Sequence, residues 1–189
     1  APNVGKSSLV NYLMGVDLSV VTDKPQTTRN KINCVFTVDH TEIILVDTPG
    51  VHRTNKEFNK RLNQQARDSL EGADLNLLLI DSTKPVGEQI NDVVSTLNKE
   101  LTKTWVVFTK SDLLDLKEGI NFDLFLQKIR EHIPSVEKTF LVSTVSEDNM
   151  NVLLGSICDE AKEGPHLFEE GQMSNKNERF FVAEYIREQ

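Results

Sequence analysis

The chain has 189 residues, a formal net charge of −8, 38% apolar and 26% charged residues. That is room for one domain with its own core and a short extra segment, without the disulfide or metal staples that smaller chains need. No apolar run reaches the roughly eighteen residues of a membrane-spanning helix, and the acidic balance supplies no obvious basic face, so any binding of nucleic acid would lie mostly outside these residues.

Two cysteines, Cys34 and Cys158, and four histidines, His40, His52, His132 and His166, stand in no metal or redox spacing. The cysteines read as buried small hydrophobes in a reducing compartment, and no zinc site is expected. No signal-peptide pattern opens the chain, which begins inside a motif and reads as truncated at its start.

From Lys6 to Met14 apolar residues recur at helical spacing, and Gly15 ends the helix as a C-cap. Residues 17–29 are polar, contain Pro25, and read as an exposed loop. The runs 32–38 and 42–46 are rich in β-formers, and Asp39-His40-Thr41 between them predicts a hairpin. Asp47-Thr48-Pro49-Gly50 breaks the second strand, and a helix is expected over about 58–70. The continuous apolar run 75–80 predicts a strand covered on both faces. A helix over 87–98, a buried strand over 105–108, a helix over 123–132 ending before Pro134, a strand over 139–142 and a helix over 149–162 follow. This alternation predicts a largely parallel α/β sheet. Gly164-Pro165 marks a boundary; 166–175 has no clear period, and 177–189 reads as an amphipathic helix with Phe181, Val182, Tyr185 and Ile186 on one side.

Four loops carry chemistry. Gly5-Lys6-Ser7 at a helix start matches the end of a phosphate-binding P-loop, whose opening glycine would precede Ala1. Backbone N–H groups of Asn3, Val4, Gly5 and Ser8 would surround the phosphates, Lys6 would reach the β and γ phosphates, and Ser7 would bind Mg2+. Asp47 at a strand end can hold Mg2+ through water, and Gly50 can offer its N–H to a γ-phosphate. Thr109-Lys110-Ser111-Asp112 follows a buried strand, where a carboxylate can accept two hydrogen bonds from the guanine edge, a pattern adenine lacks. Ser143-Thr144-Val145 leaves the next strand, where backbone groups can meet the guanine carbonyl. Taken singly, each has a plainer reading: a helix cap, a Pro-Gly turn, an N-cap at Asp112. Together, in this order at strand ends where open α/β sheets bind ligands, they predict one guanine-nucleotide site.

Here the residues resemble the Era family of GTPases. Asn-Val-Gly-Lys-Ser-Ser at 3–8, Gln-Thr-Thr-Arg at 26–29, Asp-Thr-Pro-Gly-Val-His at 47–52 and the tail at 177–188 carry the likeness, which covers the whole chain. It implies a three-layer α/β sandwich of the P-loop NTPase (Ras-like GTPase) type with a mostly parallel sheet, its first strand ahead of residue 1. It implies a GTPase domain over 1–164, then a linker and the first helix of a KH-type RNA-binding domain over 165–189. Thr28, with Thr27 as the alternative, resembles the switch threonine on Mg2+ and γ-phosphate. Val51 stands where related enzymes carry a water-orienting glutamine. Asn3 resembles a P-loop asparagine that holds K+, which would supply transition-state charge in its place; Asn3 as a loop stabiliser is the plainer alternative. Thr109 replaces the family's asparagine, and its shorter side chain is expected to hold the base less firmly. The resemblance further implies binding of GTP and GDP with hydrolysis of GTP to GDP and phosphate, 16S rRNA and the small ribosomal subunit as partners, a cytoplasmic monomer, and peripheral contact with the inner membrane. Rival readings are an ATPase on the same P-loop, a nucleotide-binding scaffold without turnover, and a related GTPase of tRNA modification or large-subunit assembly.

Overall fold

The computed structural model describes residues 3–16, 32–47, 72–85, 87, 89, 103–114, 126–127, 129–131, 133–169 and 171–176. Helix α1 (Lys6–Met14) starts after Gly5 and ends at Gly15, both left-handed at φ 84 and 66. Only glycine adopts that conformation without strain, so both helix ends are written into the sequence. Strands β1 (Ile32–Val38) and β2 (Thr41–Asp47) pair antiparallel in a register running from Ile32 opposite Asp47 to Val38 opposite Thr41. The connection is two residues long, with Asp39 at φ 53, because Thr41 already belongs to β2.

Strands β3 (Asn76–Asp81), β4 (Thr104–Thr109) and β5 (Val136–Leu141) form a parallel sheet in the order β3-β4-β5. All six residues of the central strand β4 are buried. Its alternation sends Val106 and Phe108 to one face with Ile80, Ile129, Ile133 and Val136. Trp105 and Val107 go to the other, under Leu9 and Leu13 of α1 and Met150 and Leu153 of helix α2 (Met150–Asp159). Helices therefore cover both faces of the sheet, giving the expected three-layer α/β arrangement. Val10 and Met14 of α1 also pack on Ile32 and Cys34 of the hairpin, so one helix buttresses both sheets. The hairpin and the parallel sheet form separate hydrogen-bonded sheets among the described residues.

Strand β5 begins at Val136, three residues before the apolar run suggests. An irregularity lets Val136 pair with Thr104 and Lys138 with Trp105, leaving Glu137 as the extra residue. A bulge shifts side-chain parity, which is how Val136 reaches one face while Lys138 lies 4.4 Å over the Trp105 ring on the other. The two charged residues that disguise the strand are paired: Glu137 with Lys103 at 3.3 Å, and Lys138 with Glu160 at 3.2 Å. Glu160 also bonds Lys103, which holds its carboxyl below the usual range. Helix α2 ends at Asp159, short of the expected 162, where the chain passes into a turn. Cys34 is fully buried as expected, but Cys158 is only half-buried; burial, with Asp159 and Asp39 nearby, raises its thiol pKa.

The segment after Pro165 is seated on the hairpin. The Glu42 carboxylate accepts the N–H groups of Leu167 at 2.9 Å and Phe168 at 3.1 Å, and His166 Nε2 lies 3.2 Å from the His40 carbonyl. A turn closed by Gln172 N–H on Glu169 O, with Gly171 at φ 82, then brings Ser174 antiparallel to Cys34. Val35 N–H donates to Met173 O at 2.9 Å, Asn175 N–H to Asn33 O at 3.3 Å, and Asn33 N–H to the Asn175 side chain at 3.1 Å. Glu42→Ala is expected to speed hydrogen exchange at the Leu167 and Phe168 amides about tenfold, the equivalent of about 1.4 kcal/mol of lost local hydrogen bonding. The Val35 amide, held by Met173, should change far less; equal acceleration at all three would mean that the whole segment detaches at once.

Candidate functional site

The site forms where α1 begins and the parallel strands end. Asn3 at φ 56 and Gly5 at φ 84 turn the chain sharply ahead of Lys6. Left-handed residues at a helix entry direct successive N–H groups into one concavity that suits an anion. No side chain caps this helix start and no acidic residue lies in its first turn, so nothing in the helix itself competes with phosphate. Val4 and Ser7 are buried, Lys6 and Ser8 half-buried.

The end of β4 is tied to this turn. Thr109 is buried, and its hydroxyl donates to the Val4 carbonyl at 2.7 Å, with the Ile80 carbonyl at 3.3 Å. The shorter side chain thus works between two loops, joining the phosphate turn to the strand that carries Lys110 and Asp112. Ser82 reinforces the joint: its hydroxyl donates to the carbonyls of Thr109 at 2.6 Å and Lys110 at 3.3 Å.

Asp112 sits in a single 3-10 turn, Ser111–Leu113, entered through Lys110 at φ 63. It is exposed, and one of its carboxylate oxygens accepts the Ser143 hydroxyl at 2.5 Å. Ser143 is buried and its oxygen in turn accepts the N–H groups of Val145 at 3.0 Å and Ser146 at 3.2 Å. Ser111 N–H donates to Val142 O at 3.1 Å, so the loops after β4 and β5 are locked together. Val145 and Leu113 present exposed apolar side chains on these loops, and Thr144 is half-buried.

Three residues of this region have no role in the motif reading. Asp81 ends β3 and is fully buried; its carboxylate accepts the Thr83 hydroxyl at 2.6 Å and amide at 3.0 Å, and pairs with Lys110 Nζ at 2.7 Å. Burial pushes this carboxyl up, but the Lys110 ammonium and the Thr83 hydrogen bonds outweigh it and hold Asp81 below its ordinary value, hence ionised at neutral pH. Gln89 clamps the Asp81 backbone, accepting its N–H and donating to its carbonyl, both at 2.9 Å. With Ser82, these are the residues that pattern reading missed. The available signal was a carboxylate and a serine ending an apolar run at the carboxyl edge of a parallel sheet.

Of the other expected site residues, Asp47 is the last residue of β2, opposite Ile32 of β1. Thr27, Thr28, Gly50 and Val51 lie outside the described residues, as do the helices expected over 58–70 and 177–189. No group of three or more His, Cys, Asp or Glu that could hold a metal occurs among the described residues. No helix among them is long and apolar enough to cross a membrane.

A family model described as 50S ribosome-binding GTPase matches residues 1–110. The chain belongs to this GTPase family. The Era resemblance also holds along its length. GTPase Era of Carboxydothermus hydrogenoformans is 37% identical over 191 residues, covering 100% of this chain and 62% of that protein. GTPase Era of Thermotoga maritima is 33% identical, covering 99% of this chain and 61% of that protein. A crystal structure of Era in complex with MgGDPNP and nucleotides 1506–1542 of 16S ribosomal RNA is similar with a TM-score of 0.82 at 29% identity, over 99% of this chain and 63% of that one. A point variant of Aquifex aeolicus Era bound to GDP.AlF4- gives a TM-score of 0.81 at 30% identity, again over 99% and 63%. The chain thus spans about 62% of the length of the first of these relatives. In this chain the Thr109 hydroxyl takes up the joint between the phosphate turn and the loop after β4. Thr109→Val, which keeps shape and removes the donor, is expected to cost about 1–2 kcal/mol of stability, because the buried Val4 carbonyl loses its partner. Thr109→Asn, whose amide can donate to the same carbonyl, should recover most of that in a thermal unfolding series.

Proposed function

We propose that this chain is the part of a GTPase that binds GTP and GDP with Mg2+ and hydrolyses GTP to GDP and phosphate. The observation that carries the reading is the double tie, Thr109 to Val4 and Ser143 to Asp112, which brings a phosphate turn and a base-reading carboxylate to one end of the parallel sheet. Lys6 and the N–H groups of Asn3, Val4, Gly5, Ser7 and Ser8 bind the phosphates. Asp112 reads the guanine edge, Lys110 lines the base, and the backbone of Ser143, Thr144 and Val145 faces the guanine carbonyl. Ser7, Thr28 and Asp47 hold Mg2+; hydroxyl and carboxylate oxygens, completed by phosphate and water, are the hard donors this ion takes, and no all-protein cage is required. The ion supplies charge neutralisation on the phosphates. Asn3 holds K+, which offsets the lack of a water-orienting side chain at Val51. Thr28 and Gly50 sense the γ-phosphate, and their loops order with GTP and relax after hydrolysis.

Residues 1–164 form the GTPase domain, and 165–189 lead into a KH-type RNA-binding domain. The complete protein is a cytoplasmic monomer that uses its nucleotide state in small-subunit assembly, binding 16S rRNA chiefly through that domain. Support for this comes from the Era relatives and from an Era structure that holds both a GTP analogue and 16S rRNA. Peripheral membrane contact rests on the family resemblance alone. Phosphate release by the full-length protein is the test, run with GTP and ATP in K+ and in Na+. Turnover of GTP over ATP supports the assignment, and faster turnover in K+ supports the Asn3 role. Binding without phosphate release would favour a scaffold, and equal use of ATP would defeat the guanine assignment.

A further inference from the structure

We infer that Asp81 is a positioning residue for the nucleotide site: its buried carboxylate anchors the Lys110 ammonium and so fixes the Lys110 stem where the base is to lie. The inference rests on the guanine reading above and adds a role that neither motif nor family match assigns.

A lysine stem has four rotatable bonds, and a wall that must be ordered when the ligand arrives weakens binding. Here the tip of the side chain is already held, 2.7 Å from Asp81 Oδ2. The anchor is itself rigid. Its second oxygen is fixed by both Thr83 donors. Its backbone is clamped on both sides by Gln89. Its neighbour Ser82 bonds the carbonyls of Thr109 and Lys110, so the two strand ends cannot slide relative to one another. Asp81 is fully buried, whereas the side chain of Lys110 is 32% exposed. A buried charge tolerates the loss of its partner poorly, so the carboxylate holds the ammonium in place rather than the reverse. Lys84 is a second cation on Asp81, but at 3.4 Å and with half its side chain in solvent it is the weaker one.

A purely structural ion pair would show itself in stability and leave nucleotide affinity alone. A double-mutant cycle on mant-GDP binding by the full chain separates the two roles, with thermal unfolding of each nucleotide-free variant as the stability readout. Asp81→Asn keeps the size and the Thr83 acceptor, and is expected to weaken mant-GDP about tenfold, as release of one ordered side chain would. Lys110→Ala should weaken it at least as much, and adding Asp81→Asn to Lys110→Ala should cost little more, because coupled residues do not act additively. Lys84→Ala should leave affinity unchanged. Losses that simply multiply, or Asp81→Asn binding within about twofold of the unaltered chain, would overturn the positioning role while leaving the guanine site intact. Absence of mant-GDP binding by the unaltered chain would instead overturn the guanine reading, and this role with it. Should Asp81→Asn fail to fold, Lys110→Met supplies the measurement: it retains the stem and removes only the tip that Asp81 holds. A Lys110→Met protein with undiminished affinity would show that the anchor does nothing for the site.

Discussion

Replacing Asp112 by Asn is expected to weaken GDP binding by about a thousandfold and to admit xanthine nucleotides in its place. Guanine presents two donors, N1–H and the exocyclic amine, to one carboxylate. A site built to pair with particular polar groups rejects an analogue that leaves them unpaired by factors of about 10^4. Asparagine offers one acceptor and one donor, so the donor meets the guanine amine head-on and one pair becomes a repulsion. Xanthine carries a carbonyl where guanine carries the amine, and the asparagine pattern then fits. The structure adds a reason why the exchange should be clean. The Ser143 hydroxyl donates to one Asp112 oxygen, and it can donate equally to an amide oxygen, so the loop geometry should persist in the variant. Competition of GDP and XDP against a fluorescent nucleotide checks it. An unchanged base preference in a folded Asp112→Asn protein would mean that this carboxylate does not read the base.

How far such a site can be read in advance depends on which forces build each part. Helix α1 was legible because left-handed glycines bracket it and its apolar residues follow the helical period. Strands β3 and β4 were legible because burial on both faces demands unbroken apolar runs. Strand β5 began earlier than its pattern shows because Glu137 and Lys138 find ion partners and a bulge changes parity between Val136 and Lys138. The Asp81–Gln89 clamp was not legible, since a side chain that pairs with a main chain eight residues away follows no period. The segment over 166–176 was read only as a linker, because it attaches by backbone hydrogen bonds to the edge of β1 and through Glu42, neither of which requires apolar residues. The phosphate and base loops were readable individually, but the Thr109 hydroxyl on the Val4 carbonyl spans 105 positions, and only the fold brings the two together.

Trp105→Ala is expected to cost about 3–5 kcal/mol of folding stability, the usual range for deleting a buried aromatic side chain. Against the roughly 5–15 kcal/mol by which a domain is stable, that is a large part of the total. The indole is fully buried, its ring centroid is 5.3 Å from that of Phe140, and it shares a cluster with Leu9 and Leu13 of α1 and Leu153 of α2. Its Nε1 has no hydrogen-bond partner among the described residues, so Trp105→Phe removes volume without stranding a polar partner and should cost markedly less. The position of the cavity matters more than its size. It opens in the cluster to which α1, the helix whose first turn carries Lys6 and Ser7, contributes Leu9 and Leu13, so the loss should appear in nucleotide affinity as well as in unfolding. Ile129→Ala empties a fully buried site on the opposite face of the sheet, away from α1, and belongs to a similar stability class at about 2–5 kcal/mol. Saturating GDP stabilises the folded form by mass action, about 2.7 kcal/mol at a hundred times Kd. It should therefore protect the Ile129→Ala protein more effectively than the Trp105→Ala protein at the same nucleotide concentration. Equal protection of the two would show that the phosphate turn is held by its tie to Thr109 and not by the packing beneath its helix.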